Sequence, residues 1–261
     1  MLRSLYSAAA GMQSQQMNLD VISNNLANTN TNGFKSSRLQ FQDLLYENTK
    51  EAGSQQGGGN QLPSSLQIGQ GSIYASTTRS FKQGNLTQTG NDLDLAIKGN
   101  GFFEVQLPDG SLAYTRDGAL GVDSQGRVVT ADGYPLQSGF QSVPTGTTNI
   151  TITASGAGTY KSGSGSSTNF QIQLARFINP GGLDAIGHNL YKPTNASGTA
   201  ELGDPSQNGY GEVQQGQLEL SNVSVVQEMV NLILAQRAYE VNSKAVQAAD
   251  EMMQQSNNLQ R

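Results

Sequence analysis

The sequence predicts an α+β protein. Long N- and C-terminal helices pair as a coiled-coil-like stalk, and the centre forms a mainly antiparallel β domain. The evidence for the stalk is an apolar residue at every seventh position near both ends, at Leu5, Met12, Leu19 and Leu26, and again at Val225, Leu232, Tyr239, Val246 and Met253. Such a repeat gives each helix one apolar stripe, which requires a partner helix. Between the ends, glycine-rich and Asp-Gly sequences indicate short strands joined by turns.

The first helix is predicted from about Arg3 to Ala27, with Ile22 at the second position of its stripe. Its polar face is almost uncharged and rich in amides, among them Asn24 and Asn25. A solvated helix face normally carries Lys and Glu. Neutral amides favour a face that packs against neighbouring subunits; an ordinary solvated face that happens to be amide-rich is the alternative.

A turn is predicted after this helix, from Asn28 to Gly33, because Asn, Thr and Gly stop helices and Asn-Gly readily adopts positive φ. Phe34 follows as an apolar residue beyond the turn. The polar, glycine-rich tract Glu47–Gln61 has two interpretations, a flexible linker or a functional arm.

The centre, from about Ser72 to Gln137, is predicted to be an antiparallel meander, with one hairpin turning at Pro108-Asp109-Gly110. Period-two alternation predicts further strands around residues 150–153 and 170–174. The Ser155–Thr168 tract between them, with four glycines, is predicted to be a long exposed loop.

The last helix is predicted from a capping box of Ser224 and Gln227 to about Asn257. Ala235, Asn242 and Ala249 occupy the second stripe position, where small residues allow close helix approach.

Composition and motifs exclude several classes of function. The 261 residues carry a net charge of −5, which argues against a nucleic-acid partner. There is no cysteine, and the single histidine, His188, has no neighbour with metal-ligand spacing, so it is interpreted as a turn residue. Asp92 and Asp94 are interpreted as a solvated strand face rather than an acid–base pair. We expect no enzyme activity, catalytic residue, cofactor or metal site.

The N-terminus has one cation and an Ala-x-Ala sequence but lacks the apolar core of a signal peptide. We therefore expect it to be retained, and any export to proceed without a cleaved leader. No stretch approaches the roughly 20 apolar residues that span a bilayer.

Three segments closely resemble the bacterial flagellar rod and hook family. The first is Ser23-Asn24-Asn25-Leu26-Ala27-Asn28 followed by Thr31-Asn32-Gly33-Phe34-Lys35. The second comprises Ile97-Lys98-Gly99-Asn100-Gly101-Phe102-Phe103 and Tyr114-Thr115-Arg116-Asp117-Gly118. The third begins at Ser221-Asn222-Val223 and includes Arg237-Ala238-Tyr239-Glu240-Val241-Asn242-Ser243-Lys244. The resemblance covers nearly the whole chain.

The resemblance implies a structural subunit of the flagellar basal body that self-assembles into a rigid helical tube, the rod, and transmits motor torque to the hook. The chain length favours the distal rod, with a proximal-rod subunit of similar length as the alternative. A more distant alternative is an oligomeric β-rich surface adhesin. Implied partners are further copies, proximal rod proteins, the hook protein, the bushing rings of the wall and outer membrane, and the flagellar export apparatus.

The predicted division is 1–34 plus 221–261 for the paired helices of the inner tube, 35–71 for a connecting segment with an extended bracing arm, and 72–220 for a β-rich outer domain. The predicted assembly interface combines residues of the apolar stripes with residues of the N-terminal motif. Its residues are Leu5, Met12, Leu19, Ile22, Asn24, Asn25, Leu26, Asn28, Gly33, Phe34, Val225, Leu232, Tyr239, Val246 and Met253.

Overall fold

The computed structural model describes residues 2–50, 55–56, 60–61, 64–140, 147, 149–161 and 167–259. Two long helices stand at the ends of the chain, α1 (Leu2–Ala27) and α2 (Val225–Leu259). The described residues between them form strands and one 3₁₀ turn at Pro180–Gly182. The α+β class is therefore confirmed, and α1 and α2 begin and end within a few residues of the predicted bounds.

The strands are short and follow one another in chain order. They are β1 (Ser37–Asp43), β2 (Tyr46–Lys50), β3 (Gln55–Gln56), β4 (Asn60–Gln61), β5 (Leu66–Gly69), β6 (Ser72–Arg79), β7 (Leu86–Gln88), β8 (Leu95–Lys98), β9 (Phe103–Gln106), β10 (Leu112–Thr115), β11 (Leu120–Val122), β12 (Val128–Thr130), β13 (Asn149–Ile152), β14 (Ala157–Lys161), β15 (Ser167–Gln171), β16 (Leu174–Arg176), β17 (Asp184–Gly187), β18 (Leu190–Lys192), β19 (Glu201–Gly203), β20 (Glu212–Gln215) and β21 (Gln217–Glu219).

The chain divides into two compact units. The helical unit comprises Met1–Leu26, Ser37–Thr78 and Ser224–Arg261, and the β unit comprises Ala27–Ser36 and Arg79–Val223.

In the helical unit, β1 pairs with β6, β2 pairs antiparallel with β5, and β3 pairs with β4. Helix α1 lies against the start of β6, where the Ser14 hydroxyl donates to the carbonyl of Ser72 at 3.2 Å. A Cβ added to Gly71 would lie 3.3 Å from the Cα of Ser7, so this glycine allows the helix and the strand to approach closely.

The β unit is built from small antiparallel sheets. The largest has the strand order β17-β18-β10-β9, while β13, β14 and β15 form a three-stranded meander. The predicted hairpin is confirmed: β9 and β10 pair antiparallel, and the amide of Gly110 donates to the carbonyl of Leu107 in the turn. One apolar core lies inside these sheets and includes Leu95, Phe103, Val105, Ile172 and Val213.

A second, aromatic cluster lies beside the first core. Phe102 makes edge-to-face contacts with Phe81, Phe177 and Tyr191, at centroid distances of 5.5, 5.7 and 6.0 Å. Tyr114 packs on Phe177 at 4.8 Å. Edge-to-face geometry is the arrangement that the ring quadrupole favours.

The prediction of an exposed loop over Ser155–Thr168 is wrong for much of its length. Residues 157–161 form β14, the central strand of a meander, and Tyr160 is buried. The glycines misled the prediction, because Gly158 lies under the ring of Phe170, where any Cβ would clash. In this strand, glycine makes room for an aromatic side chain instead of providing flexibility. Residues 162–166 lie outside the described residues.

The prediction of a solvated strand face at Asp92 and Asp94 is also wrong for Asp94. Asp92 is exposed in a turn, but Asp94 is 7% exposed. The Asp94 carboxylate accepts from the Thr89 hydroxyl at 2.5 Å and from the Asn91 amide at 3.0 Å. It therefore closes the turn that leads into β8.

Tyr114 makes the stability of the β unit depend on pH in the alkaline range. Burial, and then the charge of Glu104, raise the pKa of its phenol from 10.0 to about 12. The full contribution of the protonated phenol is present below pH 10 and is lost as the pH rises towards 12. Over that pH range we expect the wild type to lose about 2 kcal/mol of unfolding free energy, and we expect Tyr114→Phe not to show this loss.

Denaturant titrations of wild type and Tyr114→Phe at several pH values from 8 to 12 measure this effect. The difference in absorbance at 295 nm between wild type and Tyr114→Phe reports late ionisation of the Tyr114 phenol, because Tyr191 is also buried with a raised pKa. Parallel alkaline losses in the two proteins would contradict the assignment.

Candidate assembly surface

Helix α2 has one face that is covered within the monomer. Ala235 and Ala249 are 3% and 2% exposed. Of the predicted stripe, Leu232, Val246 and Met253 are half-buried on this face, as is Asn242, whereas Val225 and Tyr239 are exposed. Small residues at the most buried positions allow a close neighbour, as the sequence indicates.

The opposite face of α2 is apolar and exposed in its N-terminal half. Each member lies three, four or seven residues from another member, so the six share one side of the helix: Val226, Met229, Val230, Ile233, Leu234 and Val241. Val226, Leu234 and Val241 are 74%, 63% and 64% exposed. We call these six residues the outer face. The sequence-based interface did not include them, because only the heptad positions were considered.

Helix α1 buries Ile22 and Asn25, at 4% and 2% exposure. Its other predicted stripe residues are half-buried, at Leu5, Met12, Leu19 and Leu26, whereas Asn24 is exposed. Asn25 explains one amide of the sequence motif. Its side chain donates to the carbonyl of Ser37 at 2.8 Å and accepts from the amide of the same residue at 2.9 Å.

Helices α1 and α2 meet at two points within the helical unit. A Cβ on Gly11 would lie 2.8 Å from the amide nitrogen of Asn242, and the Asn25 amide lies 3.5 Å from the Glu228 carboxylate. The two points are equally far apart along each helix, from 11 to 25 in α1 and from 242 to 228 in α2. The helices therefore run antiparallel between these points.

The turn after α1 has the geometry that the sequence predicts. Asn28 begins it, accepting from the amide of Thr31 at 3.3 Å and from its hydroxyl at 3.2 Å. Gly33 has φ +67° and donates to the carbonyl of Glu219 at 2.7 Å. Phe34 is half-buried, and its carbonyl accepts from the amide of Asn222. The chain segments that enter and leave the β unit therefore lie side by side.

Asn222 reinforces this junction through its side chain. Its oxygen accepts from the amide of Ser36 at 2.8 Å, and its nitrogen donates to the carbonyls of Ser80 and Lys82 at 2.8 and 3.0 Å. One amide side chain thus links three chain segments, a role that neither Asp nor Leu could fill at this position.

A buried charge cluster lies beneath the junction. The Lys35 ammonium lies 2.6 Å from one carboxylate oxygen of Glu219, and the Arg116 guanidinium lies 3.2 Å from the other. The side chains of Lys35 and Glu219 are fully buried, and that of Arg116 is 3% exposed. Glu219 also accepts from the amide of Gly84, while Lys35 donates to the carbonyl of Lys82. Burial lowers the pKa of Lys35 and of Arg116, and the Glu219 carboxylate opposes that shift at both.

Sequence reasoning did not identify this cluster as a site, although Lys35 and Arg116 stand in the family motifs. Charged residues make up only 13% of the chain, so a charge that recurs in a motif is a signal that could have found it. Glu219 carries no such local signal, because its partners are far away in sequence.

The described residues contain no group of side chains arranged to hold a metal ion. None of the described helices combines the length and apolarity required to cross a membrane. His188 lies exposed at φ +53° in the turn between β17 and β18, as predicted, with its Nδ1 3.3 Å from the Asp132 carboxylate.

Three family models match this architecture. Residues 5–35 match the flagella basal body rod protein model, and residues 96–160 match the flagellar hook protein FlgE/F/G D1 domain. Residues 214–259 match the flagellar basal body rod FlgEFG protein C-terminal model. The first and last matches contain the two chain segments that meet at the junction.

Whole-chain comparisons agree with these matches. The flagellar basal-body rod protein FlgG of Caulobacter vibrioides is 47% identical over 261 residues, covering 99% of both chains. The FlgG of Borreliella burgdorferi is 45% identical over 264 residues, covering both chains fully. The flagellar hook-basal body complex protein FlhP of Bacillus subtilis is 32% identical over 265 residues, with 97% of each chain covered.

The chain therefore belongs to the flagellar basal-body rod and hook family. Within it, the chain is a structural subunit of the rod, and full-length identity to FlgG proteins favours the distal rod over a proximal subunit or an adhesin.

Gly33→Ala tests how tightly the junction is packed. Besides its positive φ, a Cβ there would lie 2.7 Å from the amide nitrogen of Asp117 and 2.8 Å from the carbonyl carbon of Arg116. We expect a loss of about 2–4 kcal/mol of unfolding free energy, from strain and backbone overlap together.

Gly90→Ala is the matched control, because Gly90 has φ +75° and nothing within 4 Å of its Cβ position. Its expected loss is about 1 kcal/mol. Denaturant unfolding compares the two variants, and equal losses would show that the junction has room for a methyl group.

Proposed function

We propose that the chain builds the distal rod by self-assembly of its terminal helices into a rigid tube, and that this tube transmits motor torque to the hook. The observation that carries the proposal is the two-sided character of α2. One face is covered within the monomer, and the outer face exposes six large apolar side chains. A contiguous exposed apolar patch marks a protein-binding surface.

In this proposal, α1 and α2 pair along their length as the inner-tube stalk, continuing beyond the two contacts at Gly11–Asn242 and Asn25–Glu228. The covered face of α2 serves that pairing, with Leu232, Val246 and Met253 in the seam. The outer face serves contacts with neighbouring subunits. Residues 72–220 form the outer wall of the tube.

The hairpin of β2 and β5 is proposed as a brace between neighbouring subunits. Tyr46 pairs with Gly69, and Lys50 pairs with Leu66, so the hairpin gives the segment an ordered base. Its side chains are exposed, including Tyr46 at 54% and Leu66 at 52%, and Leu45, directly before β2, is 82% exposed. An exposed antiparallel hairpin with apolar side chains is suited to lie against another subunit. The remainder of the Glu47–Gln61 tract lies largely outside the described residues.

The proposed partners are further copies of the chain, proximal rod proteins, the hook protein and the bushing rings of the wall and outer membrane. We place the protein in the periplasm-spanning rod, exported by the flagellar apparatus without a cleaved leader.

Two substitutions on neighbouring positions separate the two faces of α2. Ile233→Asp changes a side chain that is 53% exposed, so the monomer keeps its helix content and loses assembly. Leu232→Asp places a charge on the covered face, so it reduces helix content and assembly together while the β unit stays folded.

Sedimentation, electron microscopy and circular dichroism of the full chain measure these outcomes. Gln247→Asp adds the same charge at an exposed polar position of α2 and should assemble normally. Tubes formed by Ile233→Asp, or motility in cells that carry it, would exclude the outer face as an assembly surface.

Deletion of residues 47–61 removes most of β2 and tests the brace. We expect assembled rods that are measurably less straight in electron micrographs, because contacts from the hairpin no longer resist bending. A Gly-Ser linker of the same length should fail in the same way, since it restores chain length without the strand pairing. Rods as straight as wild type would rule out the brace.

A further inference from the structure

Three Asn-Gly sequences occur in the chain, at Asn32-Gly33, Asn100-Gly101 and Asn208-Gly209. Asparagine before glycine is open to spontaneous deamidation, because glycine has no Cβ to shield its amide nitrogen. In that reaction the glycine nitrogen loses its proton and attacks the Cγ of the preceding asparagine. The fold places the three sequences in different surroundings, so we do not expect them to react equally.

Asn32-Gly33 is held in place at the junction. The Gly33 amide donates to the carbonyl of Glu219 at 2.7 Å, and Gly33 is buried against the backbone of Arg116. The Asn32 carbonyl accepts from the neutral side-chain amide of Asn189 at 3.0 Å. Ionisation of the Gly33 amide would break a buried hydrogen bond, so the structure protects Asn32 from the reaction.

Asn100-Gly101 is constrained by packing. The Asn100 side chain is exposed, but its carbonyl accepts from the backbone amide of Gly211 at 2.7 Å. Gly101 is buried, and the side chain of Leu174 lies 3.0 Å from the position that a Cβ would take. The close neighbour limits the backbone movement that ring closure requires.

Asn208-Gly209 differs from both, because it forms the tip of an exposed turn. The turn closes where the amide of Tyr210 donates to the carbonyl of Gln207 at 2.8 Å. Both central residues are exposed, with φ of +48° and +82°. Within the described part of the chain, neither the Gly209 amide nor the Asn208 side chain has a hydrogen-bond partner. No hydrogen bond therefore has to break before this pair reacts.

A cation lies on the peptide group that must ionise. Nη1 of Arg176 donates to the carbonyl of Asn208 at 2.9 Å, and Nη2 donates to the Glu201 carboxylate at 3.1 Å. When the Gly209 amide loses its proton, the negative charge is shared with the Asn208 carbonyl oxygen, because both atoms belong to one conjugated amide. A charged donor already placed at that oxygen stabilises the anion.

We propose that Asn208 is a site of spontaneous deamidation in the folded protein, and that Arg176 promotes the reaction. The Gly209 nitrogen forms a bond to the Cγ of Asn208, and its proton passes through solvent to the side-chain nitrogen, which leaves as ammonia. Water then opens the succinimide at either carbonyl, and the product is aspartate or isoaspartate. A new carboxylate therefore arises in the turn that Arg176 contacts. The inference is independent of the assembly proposal.

Peptide mapping by mass spectrometry, on full-length protein incubated at mildly alkaline pH, measures the three sites together. We expect Asn208 to deamidate at least about tenfold faster than Asn32, because only Asn32 requires a hydrogen bond to break. Electron-transfer fragmentation identifies the isoaspartate product. Asn32 or Asn100 reacting as fast as Asn208, or no reaction at Asn208, would overturn the proposal.

The same protein in denaturant is the control for sequence. There the three sites should react at similar rates, because the hydrogen bonds and packing that distinguish them are gone. The folded-state order of rates persisting in denaturant would show that the sequence sets it, and would overturn the structural assignment. Neither measurement needs a tube, so a failure of the assembly proposal remains distinguishable from a failure of this one.

Two substitutions test the charge of Arg176 in opposite directions. Arg176→Gln removes the charge and should slow the reaction at Asn208 about threefold or more, whereas Glu201→Gln removes the opposing carboxylate and should accelerate it by a similar factor. Both variants break the same ion pair. A turn that is merely loosened would change both rates in the same direction, and that outcome would overturn the role of Arg176. Asn32 is the internal control, and its rate should stay constant.

Discussion

The contact on which the β unit depends is the pairing of Glu219 with Lys35 and Arg116. It joins the segment that follows α1, the end of β10 and the strand that precedes α2. A buried pair is weak evidence for net stability, because desolvation offsets much of the attraction. Removing one partner is different, since it leaves a buried charge uncompensated and costs about 3–5 kcal/mol. The cluster therefore penalises any arrangement that separates these three segments.

Amide side chains also hold neighbouring backbone segments together. Asn222 and Asn25 each satisfy backbone groups of a neighbouring segment, Asn222 at the junction and Asn25 at the start of β1. Each offers a donor and an acceptor on one planar group, which matches the N–H and C=O of an extended chain. The uncharged amides of α1 that look like assembly contacts in the sequence thus include Asn25, which has a role inside the monomer.

The fold could largely be predicted from sequence because its signals are local. Heptad spacing located both helices, and Pro108-Asp109-Gly110 located a hairpin. Prediction failed at Gly158, because its small size is explained by Phe170 on the paired strand. It also failed at Asp94, because a two-residue spacing of carboxylates does not show that the Asp94 side chain accepts from Thr89 and Asn91 within its own turn. The outer face of α2 was missed because exposure depends on which side the rest of the unit covers, and spacing alone gives no sign of that.

The adjacency of the two segments at the junction has an evolutionary consequence. A module whose first and last residues lie side by side can be enlarged, exchanged or lost without moving the elements that flank it in the chain. Here the side chain of Asn222 donates to the carbonyl of Ser80, so the span Arg79–Val223 of the β unit begins and ends at one place. Subunits that share one helical lattice could therefore diversify in size through this insertion point, each keeping the same terminal segments.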